Sequence, residues 1–429
     1  MMESPEMNTQ NQENPWRAPE GIPSAGPVSI AGAAVLFAVA SAAIPISLIK
    51  PWVGMALWAV LLGGLFVLIR RMRTGIALTM ILSVAAFFLS GSYLFVGPLA
   101  AALAVGTCAG AFLLTTLKKP WLACLIPLVS AGITAIFTQD WLFLVFAFAL
   151  LPAAALLAFA TRRGMGRTSA ICCGAAGLIG AALLLMALAI ARTDAGLSLG
   201  TVTSLLDSWK AGLLAERQEM RDALLAMLEQ SMQNTGAAGT QSGQAMLDYY
   251  RRLLSDANLY DDLTQMFNVL PGAAVAVGLI ASFLAQRLLL ETYDANGMRR
   301  VITPESEFLT VSLPASVIYL VAVLITLIFS SSYAVPVITA NNLVLILTPG
   351  LCAVGWQFLC RSLRAIPTRG RWILIFPALA LLCCASTSAI YIFAAYGAYA
   401  TIFSAVRHAI DRKNGGAGPQ DGDGPDSPD

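Results

Sequence analysis

Windows of about 20 mostly apolar residues, long enough for an α-helix to cross the hydrocarbon core of a bilayer, recur along most of this chain. They predict membrane helices near Val28–Ile49, Trp52–Ile69, Ile76–Leu94, Pro98–Leu117, Trp121–Phe137, Trp141–Ala160, Ser169–Ala191, Phe267–Leu288, Phe308–Phe329, Leu343–Leu359 and Trp372–Tyr391. A twelfth apolar segment lies near Ile392–Val406. Between the third and fourth, "GSYLFVGP" (Gly91 to Pro98) supplies the Gly and Pro of a tight turn. The expected fold is all-α: a polytopic transmembrane helix bundle of 11–12 spans.

One long polar interval, Arg192 to Met266, interrupts the spans. Its first half places Leu205, Trp209, Leu213, Met220, Leu224 and Leu228 at helical spacing. Its second half does the same with Met246, Tyr250, Leu253, Ala257, Tyr260 and Leu263, and "NTGAAGTQSGQ" between them reads as a turn. The pattern predicts an amphipathic helical hairpin whose apolar stripes pack on each other or lie on the bilayer surface. The domains expected are a cytoplasmic tail (1–27), an N-terminal membrane bundle of about seven spans (28–191), the hairpin (192–266), a C-terminal membrane bundle of four to five spans (267–413) and an acidic tail (414–429). The composition of the two tails predicts disorder.

Composition agrees with the windows. The chain has 58% hydrophobic and 12% charged residues, with a mean hydropathy of +0.74, more apolar surface than a soluble core buries. The net charge of +2 hides an asymmetry. Arg70, Arg71 and Arg73, then Lys118 and Lys119, then Arg162, Arg163 and Arg167, then Arg299 and Arg300, then Arg361, Arg364, Arg369 and Arg371 alternate with connections such as "TQD" (Thr138 to Asp140) that carry no positive charge. Lys and Arg accumulate on the cytoplasmic side. This places the N-terminus in the cytoplasm, the hairpin outside it, and Ile392–Val406 as a crossing or re-entrant helix that returns Arg407, Arg412 and Lys413 to the inside. The first 26 residues are polar and acidic, unlike a secretory signal. The hairpin interval carries 10 acidic and 6 basic residues, which disfavours attraction to anionic lipid.

Candidate chemistry is sparse. The eight cysteines lie in or at the edges of spans without the paired spacing of a zinc or redox site, and the single histidine, His408, excludes a His-based triad or cluster. No Asp or Glu occupies the middle of a span, which argues against a proton-driven antiporter, an ion pump or an intramembrane aspartyl protease. No metal, cofactor, nucleic-acid partner or enzymatic activity is expected. The uncharged polar residues at membrane depth include Thr339, Asn341 and Asn342 at the start of the tenth span, with Pro349 in "TPG" (Thr348 to Gly350) as its one plausible break. These four are the candidate substrate-binding residues, since amides and a carbonyl freed by proline can line a cavity; Ser and Thr also commonly bond the preceding turn, and an Asn suits a helix cap. "LPG" (Leu270 to Gly272) reads as the end of the external helix and the start of the eighth span.

Three stretches carry a resemblance: "LSGSYLFVGPLAAALAVGTCAGAFLLTTLKKP", "NVLPGAAVAVGLIASFLAQRLLLETYDANGMRRVITPESEFLTVSLP" and "FPALALLCCASTSAIYIFAAYGAYATIFSAVRHAIDRK". Together they resemble the YybS-like family of bacterial multi-pass membrane proteins, which is distantly similar to the substrate-binding S components of energy-coupling-factor transporters. The resemblance implies a solute-binding or transport subunit of the bacterial inner membrane, with a small-molecule ligand and a separate ATPase. This chain has no Walker-type phosphate loop of its own. The other class is a structural or regulatory scaffold whose external hairpin docks a partner. Membrane lipid is a partner in either.

Overall fold

The computed structural model describes residues 26–49, 53, 56–57, 60–61, 63, 96–192, 198–236, 240–297, 309–329, 335–365 and 386–415. Among these the regular structure is helical, without strands: α1 (Pro27–Ile49), α2 (Val96–Thr116), a 3-10 turn (Pro120–Leu125) leading into α3 (Ile126–Thr138), α4 (Trp141–Phe146), α5 (Leu150–Arg162), α6 (Arg167–Ala191), α7 (Leu199–Asn234), α8 (Gln241–Leu253), α9 (Asp256–Ala295), α10 (Leu313–Ile328), α11 (Val335–Ala365) and α12 (Ser386–Gly415). Eight helical stretches among the described residues are long and apolar enough to cross a membrane, and the fold is an all-α multi-pass helix bundle. The last, Ile390–Arg407, contains the twelfth predicted segment. Because α12 runs unbroken from Ser386, the boundary expected at Tyr391 and Ile392 is not there. The expected spans Trp52–Ile69 and Ile76–Leu94, most of Trp372–Tyr391, and both tails fall largely or wholly outside the described residues.

The chain divides into two compact units, one running to Glu307 and the other from Phe308, apart from residues 332–334. In the first, α2 packs against α1, α5 and α9, and α6 packs against α5 and α9. Small residues make these approaches possible. A Cβ on Gly106 would stand 2.3 Å from Leu150 Cδ1 and 2.8 Å from Ala40 Cβ; one on Gly110 would stand 2.7 Å from Ala154 Cβ. The eighth span, expected to open the C-terminal bundle, therefore packs within the first unit.

Contacts at helix ends show which termini share a level. Ser29 donates to Asn296 Oδ1 at 2.5 Å, Tyr293 to the Thr115 hydroxyl at 2.6 Å, and Gln286 to the Arg167 carbonyl at 3.2 Å. The start of α1, the ends of α2 and α9 and the start of α6 thus meet. At the opposite ends, Arg192 after α6 pairs with Asp140 at 2.7 Å, and Asp140 caps α4 through the Leu142 amide at 3.0 Å. Lys118, Lys119, Arg163 and Arg167 adjoin the first set of ends in sequence, and Asp140 lies at the other. The Arg192 guanidinium, then the Leu142 amide, hold the Asp140 carboxyl below the usual carboxylate range.

Prolines act differently by position. Pro127 and Pro152 cannot donate to the carbonyls four residues back, and in both cases the preceding amide makes a tighter bond: Leu151 N donates to Phe148 O at 3.0 Å and Ile126 N to Ala123 O. The fifth and sixth spans are therefore 3-10-like before each proline. Pro271 and Pro349, by contrast, lie inside uninterrupted helices. "LPG" is not a boundary: α9 continues for 40 residues from the hairpin arm through the membrane span. Pro271 is exposed and costs one backbone bond, too little to end a helix packed along its length.

In the second unit, α11 packs against both α10 and α12 around Tyr319, Ala322, Ala340, Val344, Leu351, Ala394 and Ala398. Ser312 caps α10 by accepting from Ala315 N, and Pro314 sits in the first turn, where an amide has no partner to lose.

Candidate functional site

The four residues expected to bind a substrate do not converge. Thr339 donates to Val335 O and Asn342 to Ile338 O, each at 2.9 Å and each within its own helix. Both Asn341 and Asn342 lie inside α11, so neither is its N-cap. Pro349 is ten residues beyond Thr339, about 15 Å along the axis. A cleft of about 400 Å³ does run between α10 and the start of α11, but its walls are Val317, Ile318, Val321, Ala322 and Ile325 on one side and Val335, Pro336, Thr339, Ala340 and Leu343 on the other. Thr339 alone of the four reaches it, and its hydroxyl is already bonded. Thr339→Val is expected to change thermal stability in detergent by less than about 0.5 kcal/mol, since shape is kept and only a bond to the preceding turn is lost. A larger loss would give that hydroxyl a second role.

A buried polar layer that sequence reasoning did not find joins α2, α5 and α9. Tyr293 donates to Thr115, whose hydroxyl bonds Ala111 O at 2.8 Å and Phe112 O at 2.9 Å. Arg162 donates to Leu114 O at 2.5 Å and Thr115 O at 3.2 Å, satisfying carbonyls at the end of α2 that have no helical partner. Thr115 and Tyr293 are 178 residues apart, and no local pattern links them. The layer locks helix ends together and offers no exposed nucleophile. Among the described residues no three His, Cys, Asp or Glu side chains gather closely enough to hold a metal ion.

The hairpin is built differently from the expected pair of packed stripes. Ser198, Thr240 and Ser255 cap α7, α8 and α9 through the amides of Thr201, Gly243 and Asn258. The second arm, expected to be one helix, breaks at Leu254 and Ser255, where Asn258 Nδ2 bonds the Arg252 carbonyl at 2.8 Å and so closes α8. The arms are held by a polar clamp. The Lys210 ammonium lies 3.8 Å from the Tyr260 ring centroid and donates to the Thr264 hydroxyl. Gln218 and Arg221 both donate to Asp256 Oδ1, at 2.9 and 2.5 Å, and Arg251 bonds Glu229 at 2.8 Å. The Gln218 and Arg221 bonds hold the Asp256 carboxyl below its usual range. With its folded value depressed, this contact contributes above the ordinary carboxylate range and is lost only as pH falls through the lowered value.

The clamp decides which face of α7 is covered. Leu205, Leu213 and Leu228 are half-buried, but Trp209, Met220 and Leu224 of the expected stripe are exposed, as is Met227. Met220 is 66% and Met227 69% exposed. On the other arm Leu259 and Leu263 are buried, while Met246, Tyr249, Leu253 and Tyr260 are exposed. The physical reason is that Lys210, Arg217 and Arg221 reach across to Thr264, Met266 and Asp256, so the side of α7 that carries them faces the second arm.

The exposed face runs along the arms of the hairpin and comes nearest to the apolar length of α9 at Trp209. α9 is unbroken, and α7 runs antiparallel to it, since Lys210 meets Thr264 while Arg221 meets Asp256. Asp256 lies 11 residues before Phe267, where the eighth span was expected to begin, so Met220 stands roughly 17 Å from that expected level and Trp209, beside Lys210 and Thr264, only about 5 Å from it. An interfacial helix buries its apolar face only about 5–10 Å deep in the boundary region, a depth that from the expected level takes in Trp209 and stops short of Met220.

No family model, curated protein or solved structure matches the chain. The resemblance to the YybS-like family therefore rests on the three quoted stretches alone.

Proposed function

We propose that this chain is a non-enzymatic docking scaffold of the bacterial inner membrane, with its N-terminus in the cytoplasm and its hairpin presenting an extracytoplasmic binding face. One observation carries the reading: an exposed apolar face on α7, at Met220, Leu224 and Met227, left open by the hairpin's own packing. The orientation is supported by the meeting of helix ends at the Arg162 and Tyr293 layer, because Lys118, Lys119, Arg163, Arg167, Arg299 and Arg300 adjoin those ends in sequence. The alternative of a solute-binding subunit with a separate ATPase draws no support from Thr339, Asn341, Asn342 or Pro349, whose placement forms no polar cavity.

Single cysteines test the reading. Ser242→Cys should react with an impermeant thiol reagent in intact cells and Gly166→Cys should not, each above the background of the unsubstituted chain. Met227→Cys should react as fast as Ser242→Cys in the purified protein but be shielded in cells. Equal labelling of Met227→Cys in both settings would remove the docking role, and reversed labelling of the first pair would invert the orientation.

A further inference from the structure

Building on the scaffold reading, we infer that the open face of α7 receives a basic amphipathic helix of another extracytoplasmic protein, seated with a Lys or Arg against Glu216. The exposed Trp209, Glu216, Met220, Ala223 and Met227, with the half-buried Leu213 between the first two, follow one another at intervals of four, three, four, three and four residues, the spacing of a coiled-coil seam. From Trp209 to Met227 the seam is about 27 Å long, five helical turns. Glu216 and, on its flank, Glu219 are exposed and have no ion-pair partner among the described residues. The cations of α7 do not balance them. Lys210 is committed to Tyr260 and Thr264, Arg217 to Met266 Sδ at 3.9 Å, and Arg221 to Asp256 and Asp222. The seam itself is thus apolar with a single charge, the Glu216 carboxylate, and its complement is apolar with positive charge.

A second copy of the chain is the poorer occupant. Copies threaded through the same membrane run in the same direction, so a two-fold axis lies along the membrane normal and pairs residues at equal height. In such a pair the α7 seams would place Glu216 against Glu216 at its centre. A foreign helix can instead place its cation there.

Photocrosslinking distinguishes the occupants and separates this inference from the scaffold reading. With p-benzoylphenylalanine at Met220, irradiation of intact cells should give an adduct to a different protein. Its crosslinked peptide, sequenced by mass spectrometry, should be amphipathic with a Lys or Arg within one turn. The same probe at the half-buried Leu225 should not give that adduct. Glu216→Lys should cut the yield about tenfold, Glu216→Gln should cut it less, and reversing the partner's cation to Glu should restore the yield with Glu216→Lys. An adduct of twice the chain mass, an adduct to lipid, or a yield indifferent to both Glu216 substitutions would overturn the inference. If Met227→Cys is nevertheless shielded in cells, the scaffold reading survives that result.

Discussion

Gly397→Leu is expected to unseat α12 from α11 and to destabilise the second unit more than any other single change considered. A Cβ on Gly397 would lie 2.0 Å from Leu351 O and 2.9 Å from Gly355 N; one on Gly355 would lie 2.2 Å from Phe393 O and 3.0 Å from Gly397 N. The obstacles are backbone atoms on both sides, so no rotamer change relieves the clash and the helices must separate. Within a bilayer this separation is costly, because lipid tails are as apolar as the side chains and close packing is the main attraction between helices. Contacts of Leu351, Ala394 and Ala398 along the same seam would loosen together. A loss of about 3 kcal/mol or more is expected, seen as a fall of roughly 10 °C in thermal unfolding followed by gel filtration in detergent. Gly350→Ala is the control on α11: its Cβ would meet nothing nearer than Val311 Cγ2 at 3.6 Å, an ordinary contact. Equal stability of Gly397→Leu and the wild type would mean that the two backbones do not meet at that point.

The second large effect is expected at the polar layer of the first unit. Arg162→Ala would strip the Leu114 and Thr115 carbonyls of their guanidinium donor, leaving half-buried acceptors at a helix end. The cost is about 1–3 kcal/mol. Arg162→Lys should recover only part of it, because an ammonium lacks the planar fork that reaches two carbonyls at once. Tyr293→Phe should cost about 1 kcal/mol, since Thr115 keeps its own bonds to Ala111 O and Phe112 O. The two sites share Thr115, so the double variant should lose less than the sum of the single losses. Protease resistance and thermal unfolding of the purified variants measure this, and strict additivity would show that Arg162 and Tyr293 act independently.

The eight described helices of membrane length and the helical arms of the hairpin were legible in the sequence. Hydropathy, turn residues and caps such as Ser198 and Thr240 are local, each acting within a few positions of where it is written. The uninterrupted course of α9 through Pro271 was not legible. A proline's penalty is local, but the packing that outweighs it comes from α2 and α6, more than 60 residues away. The same holds for the candidate sites. Thr339 and Asn342 looked available because sequence shows that a group is polar and not that the preceding turn already holds it. The stripe through Trp209 and Met220 looked like a packing surface because periodicity marks an apolar face but not what covers it; the clamp from Lys210 and Arg221 to Thr264 and Asp256 turned that face outward. Where a helix forms is decided by single residues and their immediate neighbours. Which faces meet is decided by pairs far apart in the chain, such as Thr115 with Tyr293 or Gly355 with Gly397, and only the tertiary structure brings those pairs together.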